Sequence, residues 1–247
     1  MSDALDTAII LAAGRGTRLR SIWSELPKGM IELGGERIAD RSLRLLRERG
    51  IQRSVIVAGY KAESYHELAT STPGVEVIEN TAYAETESMA SLACALEIVD
   101  ADFLLLESDL FYDPLALDTL IASEHRDVLL ASSPTGATDE VWIDAPDGQL
   151  RGLTKDPSAI ENPYGEFVGL LRISQALGRR MAEIFRRFQD EHGHGRMTYE
   201  TDCLLTASRE HPVHVCLMKD LLWGEIDDAN HFERLTREIV PALAQRD

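Results

Sequence analysis

Cysteine is scarce in this chain of 247 residues: Cys94, Cys203 and Cys216 are the only three, and none forms a CxxC pair. An odd number of cysteines set among apolar neighbours suits neither a disulfide framework nor a zinc site, and predicts reduced core thiols in a cytoplasmic protein. Long hydrophobic runs are missing too. Stretches such as Ala8–Ala13 and Val128–Ala131 fall far short of the ~20 residues needed to cross a bilayer. The N-terminus has no basic stretch followed by an apolar run and a small-residue cleavage site, so no secretion signal is expected. Cations are outnumbered, 25 Lys and Arg against 42 Asp and Glu, for a formal net charge of −17. That balance argues against nucleic acid or an anionic membrane as partner. What the chain does have is an apolar fraction of 44%, ample for a packed core in one large α/β domain or two small ones.

Strand-like and helix-like segments alternate over the first half. Thr7–Ala12, Arg53–Ala58, Val75–Ile78, Asp102–Leu106 and Asp127–Ala131 read as short buried strands. Ala39–Arg49, Lys61–Ala69, Ser88–Val99 and Pro114–Ser123 read as the helices between them. Spacing of this kind predicts an α/β fold with a doubly wound, mostly parallel sheet and right-handed crossovers. Beyond residue 135 the pattern changes. Val141–Ile143 and Gln149–Leu153 flank the turn dipeptide Asp147-Gly148, which predicts a hairpin. Phe167–Ile173 and Val213–Leu217 read as strands, and Ser174–Gln189, Thr198–Arg209 and Asn230–Ala244 as helices. His192–Gly195 reads as a mobile loop. No linker or repeat divides the chain, so one domain over residues 1–247 is expected. No exposed heptad or long apolar stripe announces a partner, which leaves a homodimer open.

Against the acidic background, one basic island stands out. Arg15, Arg18, Arg20 and Lys28 share a stretch with a single acid, Glu25. It follows the first strand through Leu11-Ala12-Ala13-Gly14-Arg15-Gly16-Thr17. Glycines there let the backbone turn sharply and aim N–H groups at an anion, while small residues leave room for a flat base. The third glycine of a dinucleotide fingerprint is replaced by Leu19, and GxxxxGK[ST] is absent. A GxG turn alone could be purely structural. Its continuation into Thr17, Arg18 and Pro27-Lys28-Gly29-Met30 makes a site for a small polyanion the better reading.

Leu11–Leu19 followed by Pro27-Lys28 resembles the signature of the sugar-phosphate and alcohol-phosphate nucleotidyltransferases. The resemblance implies a Rossmann-like fold with a nucleotide-binding half (1–135) and a hairpin-and-helix acceptor half (136–247). It assigns Leu11, Ala12, Ala13, Gly14, Arg15, Gly16 and Thr17 to the nucleotide, and Arg18 and Lys28 to its phosphates. Lys155 matches a lysine that contacts the α-phosphate or the acceptor phosphate. Such chemistry needs a cation where pyrophosphate leaves, and Mg²⁺ held by carboxylates. Asp109, just past a strand end, and Asp227 in Trp223-Gly224-Glu225-Ile226-Asp227-Asp228 are the expected ligands. Alternation places Glu225 on the same face as Asp227, with Glu107 and Asp228 as weaker candidates.

Asn80–Leu92 is similar to a segment of the phosphocholine and 2-aminoethylphosphonate cytidylyltransferases, which puts Ser88 near a cytosine and makes CTP the expected nucleotide. Asp139-Glu140-Val141-Trp142 and Leu221–Asp228 resemble the aminoethylphosphonate branch. An ammonium-bearing acceptor calls for carboxylates or aromatic faces; Glu166, Tyr199, Glu200, Asp202 and Trp223 are the candidates. Phosphocholine, 2-hydroxyethylphosphonate and sugar 1-phosphates remain alternative acceptors. A nucleotide-sensing module without chemistry is the alternative of another kind.

Overall fold

The computed structural model describes residues 5–19 and 26–246, so Arg20 and Glu25 of the basic island lie outside the described residues. Nine strands form the main sheet. Its centre is parallel: β1 (Thr7–Ala12) lies between β4 (Arg53–Ala58) and β6 (Phe103–Glu107), with β5 (Val75–Glu79) outside β4. Every side chain of β4 from Ser54 to Ala58 is buried, which is why these strands read as unbroken apolar runs. Alternation then divides them between two cores. Ile9, Val55, Val57 and Leu105 face one side, and Ala8, Ile10, Ile56, Leu104 and Leu106 the other.

Helices α1 (Ile38–Glu48), α2 (Ala62–Ser71) and α4 (Leu115–Ala122) and helix α3 (Ser88–Leu96) supply the covering layers. This is the mostly parallel, doubly wound α/β sheet that the spacing predicts. The long strand β11 (Gly165–Ile173) then runs antiparallel beside β6. Its far side pairs with β8 (Val128–Ser132), which pairs in parallel with β12 (His214–Met218). The first residues of β11 also carry the expected hairpin, β9 (Trp142–Asp144) and β10 (Gly152–Thr154).

Two small sheets were not expected. Strands β2 (Glu32–Leu33) and β3 (Glu36–Arg37) close on Gly34 and Gly35, both at positive φ (68° and 87°), the conformation a two-residue hairpin turn requires. Strand β7 (Leu110–Tyr112) pairs antiparallel with β13 (Trp223–Glu225). After helix α5 (Gln175–His192) the chain makes a π-helical turn, Tyr199–Leu204, before α6 (Leu205–Ser208). The C-terminal helix is α7 (Ala229–Arg234), a second π-helical segment (Leu235–Ile239) and α8 (Val240–Leu243), where one continuous helix was expected. Of the His192–Gly195 segment, His192, Gly193 and His194 are exposed, while Gly195 is buried and its carbonyl accepts the amide of Glu87.

Candidate active site

Two adjoining cavities open at the carboxyl ends of β1 and β6. The larger, about 540 Å³, is lined by Leu11, Ala12, Ala13, Gly14, Arg15, Gly16 and Thr17. Ser88 from the start of α3 also lines it, so the structure brings the whole expected nucleotide set to one cavity, and Tyr199, expected on the acceptor side, lines this cavity and not the smaller one. Gly16 sits at φ 54°, and a Cβ there would lie 3.3 Å from Cγ of Lys28. The loop therefore rests on the lysine's stem. A Cβ on Gly59 would come within 2.8 Å of Tyr83 and 2.9 Å of Ala13, so that glycine seats Tyr83 in the cavity wall. Tyr65, Tyr83, Thr86, Glu87 and Ser91 add to the lining. Of these, all but Tyr65 fall within the Asn80–Leu92 segment, yet only Ser88 was singled out there.

Lys28 opens a short 3₁₀ turn, Lys28–Met30, after Pro27. Its ammonium donates to Asp109 Oδ2 at 2.7 Å and to Asp227 Oδ1. Arg18 donates to the other oxygen of Asp227 at 2.5 Å and to Asp139 Oδ2 at 3.1 Å. Burial alone would push Lys28 towards neutrality, but the charges of Asp109 and Asp227 outweigh it and hold it well above its ordinary value. The same pairing keeps Asp227 below the usual carboxylate range despite its burial. The unexpected β7–β13 pair explains why residues so distant in sequence meet. Asp109 sits just before β7, Asp227 just after β13, and the amide of Ile226 donates to Asp109 O at 3.1 Å.

The smaller cavity, about 220 Å³, is lined by eight carboxylates and three cations, Arg18, Lys28 and Lys155. Lys28, Glu107 and Asp109 line both cavities. Glu225 and Asp227 face the smaller one together, as alternation requires. Burial, then the charges of Asp109 and Asp227, push the Glu225 carboxyl well up. Asp139, Glu225, Asp227 and His231 each offer a ligand atom, all within 4.8 Å of one another. The three carboxylates among them are hard oxygen donors that suit a divalent cation, His231 adds a ring nitrogen, and the bonds from Lys28 show that positive charge fits between Asp109 and Asp227. Asp139 and His231 were not foreseen as site residues. His231 carried no local signal, because it sits inside an ordinary helical stretch.

On the acceptor side, Glu166 is 3% exposed and accepts from Thr135 N (2.6 Å) and Thr135 Oγ1 (2.9 Å). Burial nevertheless pushes it up to about 7. Ser88 Oγ accepts the Tyr199 amide at 2.9 Å and donates to Glu200 at 3.3 Å. Burial likewise raises Glu200, opposed in part by the charge of Lys155. The hydroxyl of Tyr199 donates to Glu107 at 2.6 Å, and burial with the Asp109 charge raises that carboxyl. Trp223 is buried, its indole N–H bonded to Ser132 Oγ at 2.8 Å, so its ring is a fixed wall. Asp202 is not brought to either cavity. Its carboxylate accepts from Thr198 N and Oγ1, both at 2.9 Å, capping the turn that carries Tyr199. Asp228 has a comparable capping role at α7, accepting the amides of Asn230 and His231.

A glycine loop beneath one cavity and a lysine held between carboxylates where the second cavity begins describe an enzyme that moves a nucleotidyl group. The chain belongs to the MobA-like NTP transferase domain family, which it matches over residues 8–242. A CMP-5′-(3-aminopropyl)phosphonate synthase of Streptomyces rubellomurinus is 31% identical over 235 residues, covering 90% of this chain and 37% of that protein. The chain thus spans well under half of that relative's length. A 2-aminoethylphosphonate cytidylyltransferase of Lancefieldella rimae is 28% identical over 203 residues, covering 78% of this chain and 77% of the other. The fold matches an inositol-1-phosphate CTP transferase from T. maritima with a TM-score of 0.79 at 19% identity, over 99% of this chain and 97% of that one.

Proposed function

We propose that this protein is a cytidylyltransferase that uses CTP and Mg²⁺ to activate a small aminoalkylphosphonate, 2-aminoethylphosphonate above all, releasing pyrophosphate. One observation carries the acceptor: the second cavity sets eight carboxylates against three cations, of which Lys28 also lines the phosphate-loop cavity. A molecule anionic at one end and ammonium-bearing at the other matches that division. A neutral sugar or a hydroxyethyl group would bring no cation of its own to the buried Glu166, whose only side-chain hydrogen-bond partner among the described residues is Thr135. A trimethylammonium group, which cannot donate hydrogen bonds, calls for an aromatic cage; the cavity offers Phe167 and Trp223. Relatives named for aminoalkylphosphonates support the same choice.

A phosphonate oxygen attacks the α-phosphorus of CTP, a P–O bond forms, and the bond to the β-phosphate oxygen breaks. Pyrophosphate departs with the electron pair. The attacking oxygen is already anionic near neutral pH, so no general base is required. Lys28 and Arg18 offset charge on the phosphates, and Lys155 orients the acceptor. Asp109 and Asp227, with Glu225, would hold Mg²⁺, which when bound neutralises the leaving pyrophosphate.

The test is pyrophosphate release from CTP or UTP with Mg²⁺ and a panel of acceptors. The panel holds 2-aminoethyl-, 3-aminopropyl- and 2-hydroxyethylphosphonate, phosphocholine and glucose 1-phosphate. CTP with an aminoalkylphosphonate should give the highest kcat/KM; preference for phosphocholine or a sugar phosphate would overturn the acceptor, and silence across the panel would leave a nucleotide-sensing module. Lys28→Ala and Asp109→Ala should each abolish turnover with an unchanged circular dichroism spectrum. Near-normal CTP turnover in either variant would sink the assignment.

A further inference from the structure

We infer that Lys28 and the metal compete for the same carboxylate oxygens, so that the metal enters with the nucleotide and not ahead of it. The inference rests on the nucleotidyltransferase reading but not on the identity of the acceptor. Of the four oxygens on Asp109 and Asp227, three already accept from cations: two from Lys28 and one from Arg18. A divalent ion bound to the same carboxylates needs oxygens at about 2.0–2.1 Å. An ammonium within hydrogen-bond reach of both carboxylates occupies that position, and its charge repels the ion.

The lysine has somewhere else to go. Its side chain is 18% exposed, and its stem runs beneath the phosphate loop, with Cγ, Cδ and Cε all 3.3–3.9 Å from where a Gly16 Cβ would be. Rotation about the terminal bonds moves the ammonium from the carboxylates to the oxygens of a triphosphate in the adjoining cavity. Arg18 lines the smaller cavity and not the larger, so Lys28 is the cation that spans both. Nucleotide therefore removes the competing lysine as it arrives, and by linkage its binding and that of the metal reinforce each other. Lys28 thereby serves the empty site as well as the loaded one, offsetting buried carboxylate charge while no nucleotide is bound.

The decisive measurement is Mn²⁺ binding to the nucleotide-free protein, followed by electron paramagnetic resonance. Lys28→Met should bind Mn²⁺ at least about tenfold more tightly than the parent, a difference of about 1.4 kcal/mol. Lys28→Arg should stay near the parent, because the charge is retained. Lys28→Met combined with Asp109→Asn should lose the gain. Lys155→Met removes another cation of the same cavity and should change the affinity less than about twofold, which separates direct competition from a general field. Equal affinities in the parent and a folded Lys28→Met would overturn the inference. So would a gain that survives Asp109→Asn or is matched by Lys155→Met. Because the readout needs neither nucleotide nor acceptor, a protein that shows the competition but turns over no CTP would refute the proposed function alone.

Discussion

At Gly29 the fold leaves no room for even a methyl group. A Cβ there would lie 2.7 Å from the Tyr65 hydroxyl and 3.1 Å from the carbonyl of Ser108. Tyr65 is buried on a rigid ring, so the strain of Gly29→Ala falls on the turn that carries Lys28. Displacements below an ångström are costly to positioned catalysis, and kcat should drop about ten- to a hundredfold. Adding Tyr65→Phe removes the nearest atom and should restore part of the loss in pyrophosphate-release assays; a double variant no faster than the single would assign the clash to the Ser108 backbone. Residues such as Lys28, Asp109 and Asp227 were legible because each belongs to a short contiguous pattern. Tyr65 was not, since a tyrosine on the buried face of α2 reads as core. Asp202 misled for the opposite reason: an acid beside Tyr199-Glu200 looks like part of a site until its cap on Thr198 is seen.

Elements were legible where burial is continuous and much less so where they depend on a distant partner. The five parallel-type strands of the first half were expected within one or two residues of their observed ends; all but the edge strand β5 are runs buried on both faces, which need no partner to be recognised. The two-residue strands β2 and β3 are too short for any periodicity. The β7–β13 ladder joins segments more than a hundred residues apart, and the π-helical segments differ from α-helix only in hydrogen-bond register. Strand β11 combines both cases. Its register shifts between Phe167 and Leu171, and Gly169 within that interval has φ 78°. A Cβ on Gly169 would lie 3.1 Å from Leu110 and 3.2 Å from Glu107 Oε2. Gly169→Ala should therefore cost about 1–3 kcal/mol in denaturant unfolding. It should also disturb Glu107, which both cavities share; an alanine variant with parental stability would show that the bulge is not strained.

Taken as a whole, the molecule concentrates acidity at its centre, and this sets how stability responds to pH. Lys28 and Arg18 compensate Asp227, whereas Glu107, Glu166, Glu200 and Glu225 are all pushed upward, chiefly by burial. Glu166 separates most cleanly, since it is none of the expected metal ligands. Its carboxyl rises from 4.5 to about 7 on folding. Below pH 4.5 the group is protonated in both states and costs nothing. Between those values the folded state holds the extra proton, so stability falls as pH rises. By pH 8 the loss reaches at most about 3 kcal/mol. Glu166→Gln keeps the shape and an acceptor for the Thr135 amide while removing the titration. It should melt several degrees above the parent at pH 8 and within about a degree of it at pH 4. The same ionisation is what would let Glu166 hold an ammonium group, so the variant that gains stability should bind an aminoalkylphosphonate more weakly, and its KM for that acceptor should lose the fall that the parent shows between pH 6 and pH 8. Parallel melting profiles for the two proteins would mean that Glu166 ionises as freely in the folded protein as in the unfolded chain, and the parent's KM for an aminoalkylphosphonate would then show no fall between pH 6 and pH 8.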